Sequence, residues 1–135
     1  MDKIRLHLLF VDDEEDLQMV FEFNFREEMD DDLVRLSFST SGEQCLELLK
    51  TEDGADVILV LSDINMPKMD GLTLLDKIKE QFPHIEVYMV SAYGNDDFIS
   101  RAKDKGASHF FTKPVDFTML KNVISSQFGV NLYSA

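Results

Sequence analysis

The sequence is poor in several residue types that would indicate particular classes of protein. It has one cysteine, Cys45, and no tryptophan in 135 residues. A single cysteine excludes an intrachain disulfide framework and a metal site built from clustered thiolates. We therefore expect a cytoplasmic protein, in which Cys45 fills an apolar helical stripe.

Long apolar runs and an excess of basic residues are also missing. No run approaches the roughly 20 residues that a membrane-spanning helix needs, and Arg5 and His7 interrupt the N-terminal apolar stretch as no signal peptide would. Lys and Arg number 13 against 26 Asp and Glu, which gives a net charge of −13. Such a chain repels nucleic acid, so we expect neither direct nucleic-acid binding nor a membrane partner.

What the sequence contains is a fivefold alternation of short β-like runs and amphipathic helical segments. Strands are predicted at Ile4–Val11, Leu33–Ser39, Val57–Leu61, Val87–Val90 and around Phe110–Phe111. Helices are predicted at Glu14–Met29, from a capping box at Thr40–Glu43 onward, at Leu72–Phe82, at Asp96–Lys105 and at Phe117–Phe128. Strict alternation predicts an α/β fold with a parallel sheet and helices on both faces.

The first helix is the least regular of these segments. Its predicted inward face is formed by Leu17, Val20, Phe21 and Phe25, although Phe21–Phe25 also alternates as a strand would. The length of the segment and its position between two strands favour a helix. The acidic run Glu27–Asp32 that follows is interpreted as a solvated helix end and loop.

Polar residues follow four of the predicted strands. Asp12 and Asp13 follow the first strand, Asp63 the third, Ser91 the fourth and Lys113 the fifth. Taken alone, each aspartate would be explained as a turn residue or a helix cap. Ligands of open parallel sheets bind beyond the carboxyl ends of the strands, so all five side chains are predicted at one edge. Three clustered carboxylates call for a cation, and oxygen ligands favour Mg²⁺, with Mn²⁺ as an alternative ion.

Four segments together resemble one family. The chain is similar to response-regulator receiver domains in the stretches FVDDE, SDINMPKMDG, VSA and FTKP, at Phe10–Glu14, Ser62–Gly71, Val90–Ala92 and Phe111–Pro114. The resemblance runs from about Ile4 to Phe128 and implies a single receiver domain over residues 1–135, with no output domain. It also implies a flavodoxin-like, doubly wound (βα)5 fold with strand order 2-1-3-4-5.

The resemblance assigns the phosphoacceptor and the metal ligands. Asp63 would take a phosphoryl group from the phosphohistidine of a histidine kinase or phosphotransfer protein. Asp13, Asp63 and the backbone carbonyl of Asn65 would bind Mg²⁺, and Asp12 would lie nearby, with water between it and the ion. The protein would thus be a signalling domain whose only reactions are phosphotransfer and its own dephosphorylation.

The resemblance also assigns residues around the acceptor. Lys113 and Ser91 would contact phosphoryl oxygens, and Ser91 and Phe110 would form the switch, although Phe110 lacks the hydroxyl of the tyrosine common at its position. The residues implied to tune the reaction are Asn65, Ala92 and Tyr93. Two structural expectations accompany them: Asp70 caps the third helix, and the peptide bond before Pro114 is cis.

The surface formed by the fourth helix, fifth strand and fifth helix would report phosphorylation to a downstream output protein or domain. The same face is a candidate dimer surface. Whether the chain is a free-standing regulator, a phosphorelay intermediate or a receiver excised from a longer protein stays open.

Two other functions compete with this hypothesis. An aspartate-nucleophile phosphatase would use the same Asp and Mg²⁺, but usually has a second acid two residues after the nucleophile, where this chain has Asn65. A receiver-like module that binds proteins without phosphorylation usually lacks an acid or the lysine, and here Asp12, Asp13, Asp63 and Lys113 are all present.

Overall fold

The computed structural model describes residues 5–92 and 96–132, in which strands and helices alternate as predicted. The strands are β1 Leu6–Val11, β2 Val34–Ser39, β3 Val57–Asp63, β4 Glu86–Ser91 and β5 His109–Thr112. The helices are α1 Leu17–Asn24, α2 Arg26–Asp30, α3 Gly42–Leu49, α4 Gly71–Gln81, α5 Asp96–Asp104 and α6 Phe117–Phe128. All strand pairs are parallel and their order is β2-β1-β3-β4-β5, which confirms the predicted fold class.

The sheet has an apolar core on each face because successive strand residues point to opposite sides. Leu9 and Val11 belong to the core covered by α3, α4 and α5, where Cys45 is buried as expected. Leu8 and Phe10 belong to the core covered by α1, α2 and α6. Because β1 and β3 are buried on both faces, they show the continuous apolar runs from which they were predicted.

The first predicted helix is divided in two, and one of its predicted core residues is wrong. Phe25 departs from helical geometry with φ −106° and ψ 11°, and it separates α1 from α2. The Asn24 amide competes locally by donating to the Val20 carbonyl at 2.8 Å. Phe21 and Phe25 are buried as predicted, whereas Val20 is 43% exposed.

The acidic run after α1 is also not wholly solvated. Glu28 of α2 is fully buried, and its Oε2 lies 2.7 Å from Nζ of Lys121 on α6, itself only 5% exposed. The Lys121 ammonium also lies 5.1 Å from the centre of the Phe25 ring. The prediction for Glu28 failed because a charge so far inside is tolerated only with a partner, and that partner is 93 residues away in sequence.

The capping box of α3 is shifted by one residue from its predicted position. Ser41 is the N-cap and accepts a hydrogen bond from the Gln44 backbone at 3.1 Å. The Gln44 side chain in turn accepts from the Thr40 backbone at 2.6 Å. The expected cap of α4 is confirmed, since Asp70 accepts from the Thr73 backbone at 2.8 Å.

Strand register brings the strand ends to a common edge. Val11 pairs with Ser39 on one side and with Ser62 on the other, Asp63 pairs with Val90, and Ser91 pairs with Thr112. Within residues 5–92 and 96–132, no helix has both the length and the apolar character needed to cross a bilayer.

Candidate functional site

Three aspartates converge at the carboxyl edge of the sheet. One carboxylate oxygen from each of Asp12, Asp13 and Asp63 lies within 4.8 Å of the others. Asp63 is 6% exposed, Asp12 is half-buried and Asp13 is exposed. The edge therefore holds one acid deep in the fold and two at its rim. The order of strand ends predicted that the three acids meet at this edge, but not their different burial.

Lys113 reaches the same cluster from the end of β5. Its ammonium lies 2.8 Å from Oδ2 of Asp12 and 3.2 Å from Oδ2 of Asp63. The Lys113–Pro114 peptide bond is cis, as expected, and the Lys113 backbone donates to the Ser91 carbonyl at 2.9 Å. One cation is thus shared between two of the three acids.

The environment disfavours the ionised form of Asp63. Burial, followed by the charge of Asp12, raises its pKa above the ordinary carboxyl value, although Lys113 and the Asn65 backbone act in the opposite direction. For Lys113, burial lowers the pKa, but hydrogen bonds and charge interactions with Asp12 and Asp63 outweigh it, so its pKa is raised. The site therefore has an excess of negative charge that one ammonium does not neutralise.

Backbone groups orient the acids. The Glu14 backbone donates to Oδ1 of Asp12 at 2.9 Å, and the Asn65 backbone donates to Oδ1 of Asp63 at 3.3 Å. These bonds leave each carboxylate with further acceptor capacity, because one ionised carboxylate has about four acceptor positions.

The loop after Asp63 passes close to the backbone of that residue. Gly71 donates its backbone N–H to the Ile64 carbonyl at 2.8 Å. A Cβ at Gly71 would lie 2.2 Å from the Asp63 carbonyl oxygen, so only glycine permits this approach. Lys68 in the same loop has φ 68°, a left-handed conformation unusual for a residue with a side chain. Met66 in this loop is buried and packs in the core.

Of the remaining predicted residues, the structure describes Ser91, Ala92, Asn65 and Phe110. Ser91 is fully buried at the end of β4, and the following Ala92 is exposed. Asn65, in the loop after Asp63, is exposed. Phe110 is half-buried against the core of α3, α4 and α5. Tyr93 lies outside the described residues.

Two features near and far from the site were missed by sequence reasoning. An apolar chamber of about 350 Å³ adjoins Asp63 and Lys113 and lies beside α1. At the opposite edge of the sheet, buried His7 contacts Asp56 through Nδ1 at 2.6 Å and Ser37 through Nε2 at 2.7 Å. Neither had a sequence signal, because both depend on residues brought together from distant segments.

Comparison with known proteins gives a consistent result. Residues 8–125 match the response regulator receiver domain family. The response regulator protein PilR of Pseudomonas aeruginosa is 32% identical over 126 residues, which cover 90% of this chain and 26% of that protein. FleR of the same organism is 36% identical over 85 residues, covering 63% of this chain and 17% of that protein. The chain thus spans about a quarter or less of these curated relatives.

A solved structure agrees with the fold and the family. The CheX–CheY–BeF3–Mg²⁺ complex from Borrelia burgdorferi contains a chain that is 29% identical, with a TM-score of 0.81 over 93% of this chain and 90% of that one. Strand order, the acid cluster and the family match over residues 8–125 lead to the same answer. This chain belongs to the response regulator receiver domain family.

Proposed function

We propose that Asp63 accepts a phosphoryl group from a histidine kinase or phosphotransfer protein, in a reaction that depends on Mg²⁺, and that this switches a protein-binding surface. One observation carries the proposal: at the carboxyl edge of a parallel sheet, a buried carboxylate clusters with two further acids and shares an ammonium with one of them. We further propose that residues 1–135 form one receiver domain acting in the cytoplasm.

The acid cluster fits a hard divalent cation. Oxygens around one Mg²⁺ lie at most about 4.2 Å apart, because each bond is about 2.1 Å long. The three carboxylate oxygens lie within 4.8 Å, so small side-chain movements suffice. Asp12, Asp13, Asp63 and the Asn65 carbonyl would hold the ion, with water completing the shell. When bound, Mg²⁺, or Mn²⁺ in its place, would supply the positive charge that offsets that of the acids and the phosphoryl oxygens.

The chain's own residues position the reaction. An Asp63 oxygen attacks phosphorus, the P–N bond of the donor phosphohistidine breaks, and an acyl phosphate forms on Asp63. Lys113, already 3.2 Å from Asp63, turns from Asp12 to a phosphoryl oxygen. Ser91 hydrogen-bonds another phosphoryl oxygen, and the small Ala92 leaves space for the group.

Asn65 argues against a turnover enzyme. An aspartate-nucleophile phosphatase usually has an acid at that position, where a carboxyl group can protonate the leaving group and then activate water. Here Asn65, and in the same way Tyr93, instead tunes how long the acyl phosphate survives. The proposed reaction is therefore a single phosphotransfer followed by hydrolysis of the acyl phosphate.

Phosphorylation of Asp63 would change the surface formed by α5, β5 and α6. Movement of Ser91 toward the phosphoryl group makes room for Phe110 to pack further inward. The surface of α5, β5 and α6 changes in response and binds an output protein or domain, or a second copy of the chain. Because the curated relatives are several times longer, a phosphorelay intermediate and a receiver within a longer protein are alternative settings for the same reaction.

Labelling with acetyl phosphate tests this proposal. We expect intact-protein mass spectrometry to show the gain of one phosphoryl group with Mg²⁺ present and none without it. Asp63→Asn should abolish labelling, whereas Asp30→Asn, at an exposed acid of α2, should label as the unaltered chain does. Full labelling of Asp63→Asn would sink the proposal.

A lysine pair separates the role of Lys113 from general charge effects. Lys113→Ala should slow labelling or uncouple it from the surface change, while Lys50→Ala, at the exposed end of α3, should do neither. Heteronuclear NMR of β5 and α6 with the phosphoryl mimic BeF3 measures the surface change, and equal responses in both variants would contradict the assigned role.

A further inference from the structure

The apolar chamber beside Asp63 is large enough for a small ligand. Its volume is about 350 Å³, within the range of about 300 to 1,000 Å³ that small-molecule sites usually have. Its walls come from α1, from the ends of β1, β3 and β4, from the loop between β5 and α6, and from the start of α6. They include Leu17, Phe21, Leu61, Val90, Val115 and Phe117. The phosphotransfer reaction uses none of these side chains.

The walls of the chamber favour an aromatic occupant. Phe10 and Phe21 stack with ring centres 4.1 Å apart, and Phe117 meets Phe21 edge-on at 5.1 Å. Aromatic pairs prefer these offset-stacked and edge-on arrangements, so a further ring in the chamber would extend the cluster favourably. Val20 also lines the chamber and is 43% exposed, so the space can be reached from solvent past α1.

The polar end of the chamber carries negative charge. Asp12, Glu14, Asp63 and Lys113 line it, which amounts to three acids and one base. Lys113 is already shared between Asp12 and Asp63 at 2.8 and 3.2 Å. An anionic ligand would meet this excess of acids, while an ammonium would find carboxylate oxygens with acceptor capacity left.

We propose that this chamber is a binding site for small arylalkyl ammonium compounds, with the aromatic ring among Phe10, Phe21 and Phe117 and the ammonium at Asp12 and Asp63. Since the ammonium uses two of the three clustered acids, the compound competes with a divalent cation. Binding would therefore hold the domain in a form that cannot be phosphorylated. The site itself exists whether or not Asp63 is a phosphoacceptor, and binding is measured without phosphorylation.

Titration with 2-phenylethylammonium tests the site directly, by calorimetry and by NMR shifts of α1 and of the loop after β5. We expect it to bind about tenfold or more tightly than neutral 2-phenylethanol and than ethylammonium, which lacks the ring. Added Mg²⁺ should weaken it in proportion to metal occupancy. No saturable shift at the chamber, or equal binding of 2-phenylethanol, would overturn the proposal.

Two neighbouring positions on α1 provide a matched pair of variants. Val20→Trp places a large ring at the chamber entrance and should weaken binding about tenfold. Met19→Trp adds the same ring at a 73% exposed position that does not line the chamber, and should leave affinity unchanged. Glu14→Gln removes one charge at the polar end without touching the proposed metal ligands and should weaken binding severalfold. Unaltered affinity in Val20→Trp would place the ligand elsewhere and refute the assignment.

Discussion

Asp63 is held in an environment that opposes its charge, and that opposition has a measurable effect on folding. Burial and the neighbouring charge of Asp12 raise the pKa of Asp63 above the ordinary aspartate value of about 4. At a pH between the ordinary pKa of the unfolded chain and the raised pKa of the folded chain, Asp63 keeps a proton only in the folded chain. The free energy of unfolding therefore falls as pH rises through this range. The Asp63 carboxylate thus lowers the stability of the fold at neutral pH.

Asp63→Asn should consequently stabilise the domain. We expect a gain in unfolding free energy of about 1 kcal/mol at pH 7, within the range usual for relieving a strained functional site. The gain should shrink toward zero as pH falls below about 4, where both states are protonated. Urea unfolding across pH measures it, with exposed Asp30→Asn as control; a pH-independent difference would contradict this reasoning.

Gly71 shows the opposite kind of constraint, in which geometry alone fixes the residue. A Cβ there would lie 2.2 Å from the Asp63 carbonyl, a backbone atom that cannot move aside. We expect Gly71→Ala to destabilise the domain by about 2 to 3 kcal/mol. Gly42→Ala is the control, since its Cβ would meet only the flexible Met69 side chain at 2.7 Å. Equal losses in thermal unfolding of the two variants would count against the steric explanation.

At the scale of elements, local sequence patterns predicted strands and helices well where the burial of residues follows the hydrophobic periodicity. Strand β3 read as an uninterrupted apolar run because both its faces are covered, and α6 was predicted with the bounds that the structure has. The strand ends then placed Asp12, Asp13, Asp63 and Lys113 together, since a parallel sheet brings all carboxyl ends to one edge.

Two of the errors lie where distant segments decide the local outcome, and a third has a local cause. Glu28 belongs to an acidic run, and only the approach of Lys121 from α6 makes its burial tolerable. Val20 has the spacing of a core residue, yet the chamber beside it leaves the position open. The break at Phe25 depends on the Asn24 side chain, which competes within one turn for the Val20 carbonyl. The periodicity of hydrophobic residues does not predict such competition.

The Glu28–Lys121 pair joins α2 to α6, and its two members should be interdependent. Lys121→Met leaves a buried carboxylate alone and should cost about 3 to 5 kcal/mol, whereas Glu28→Leu combined with Lys121→Met should recover most of that loss. The exposed pair Arg101 and Asp97 offers a control, because changing either to alanine should cost about 0.5 kcal/mol or less. A double-mutant cycle in urea measures the coupling, and additive losses would show that the pair is not a unit.

At the scale of the whole molecule, the chain has a net charge of −13, and three of its acids cluster at the carboxyl edge of the sheet. Repulsion among the acids opposes the compact state. Dissolved salt screens the repulsion between exposed charges, but it screens closely spaced, partly buried charges much less. A divalent ion held by Asp12, Asp13 and Asp63 would also offset the repulsion among these three carboxylates. Folding stability should therefore respond to Mg²⁺ beyond its contribution to ionic strength.

We expect Mg²⁺ at about 100 times its dissociation constant to raise the unfolding free energy by about 2.7 kcal/mol. Potassium chloride at matched ionic strength should give a smaller rise, because it screens charge without entering the cluster. Asp13→Asn removes an exposed acid of the cluster and should abolish most of the Mg²⁺ effect while leaving the salt effect intact. Thermal unfolding of both chains in both salts separates the two contributions. If Mg²⁺ and KCl stabilised the unaltered chain equally, the acids would be acting as diffuse surface charge, and the assignment of Asp12, Asp13 and Asp63 to one metal site would fail.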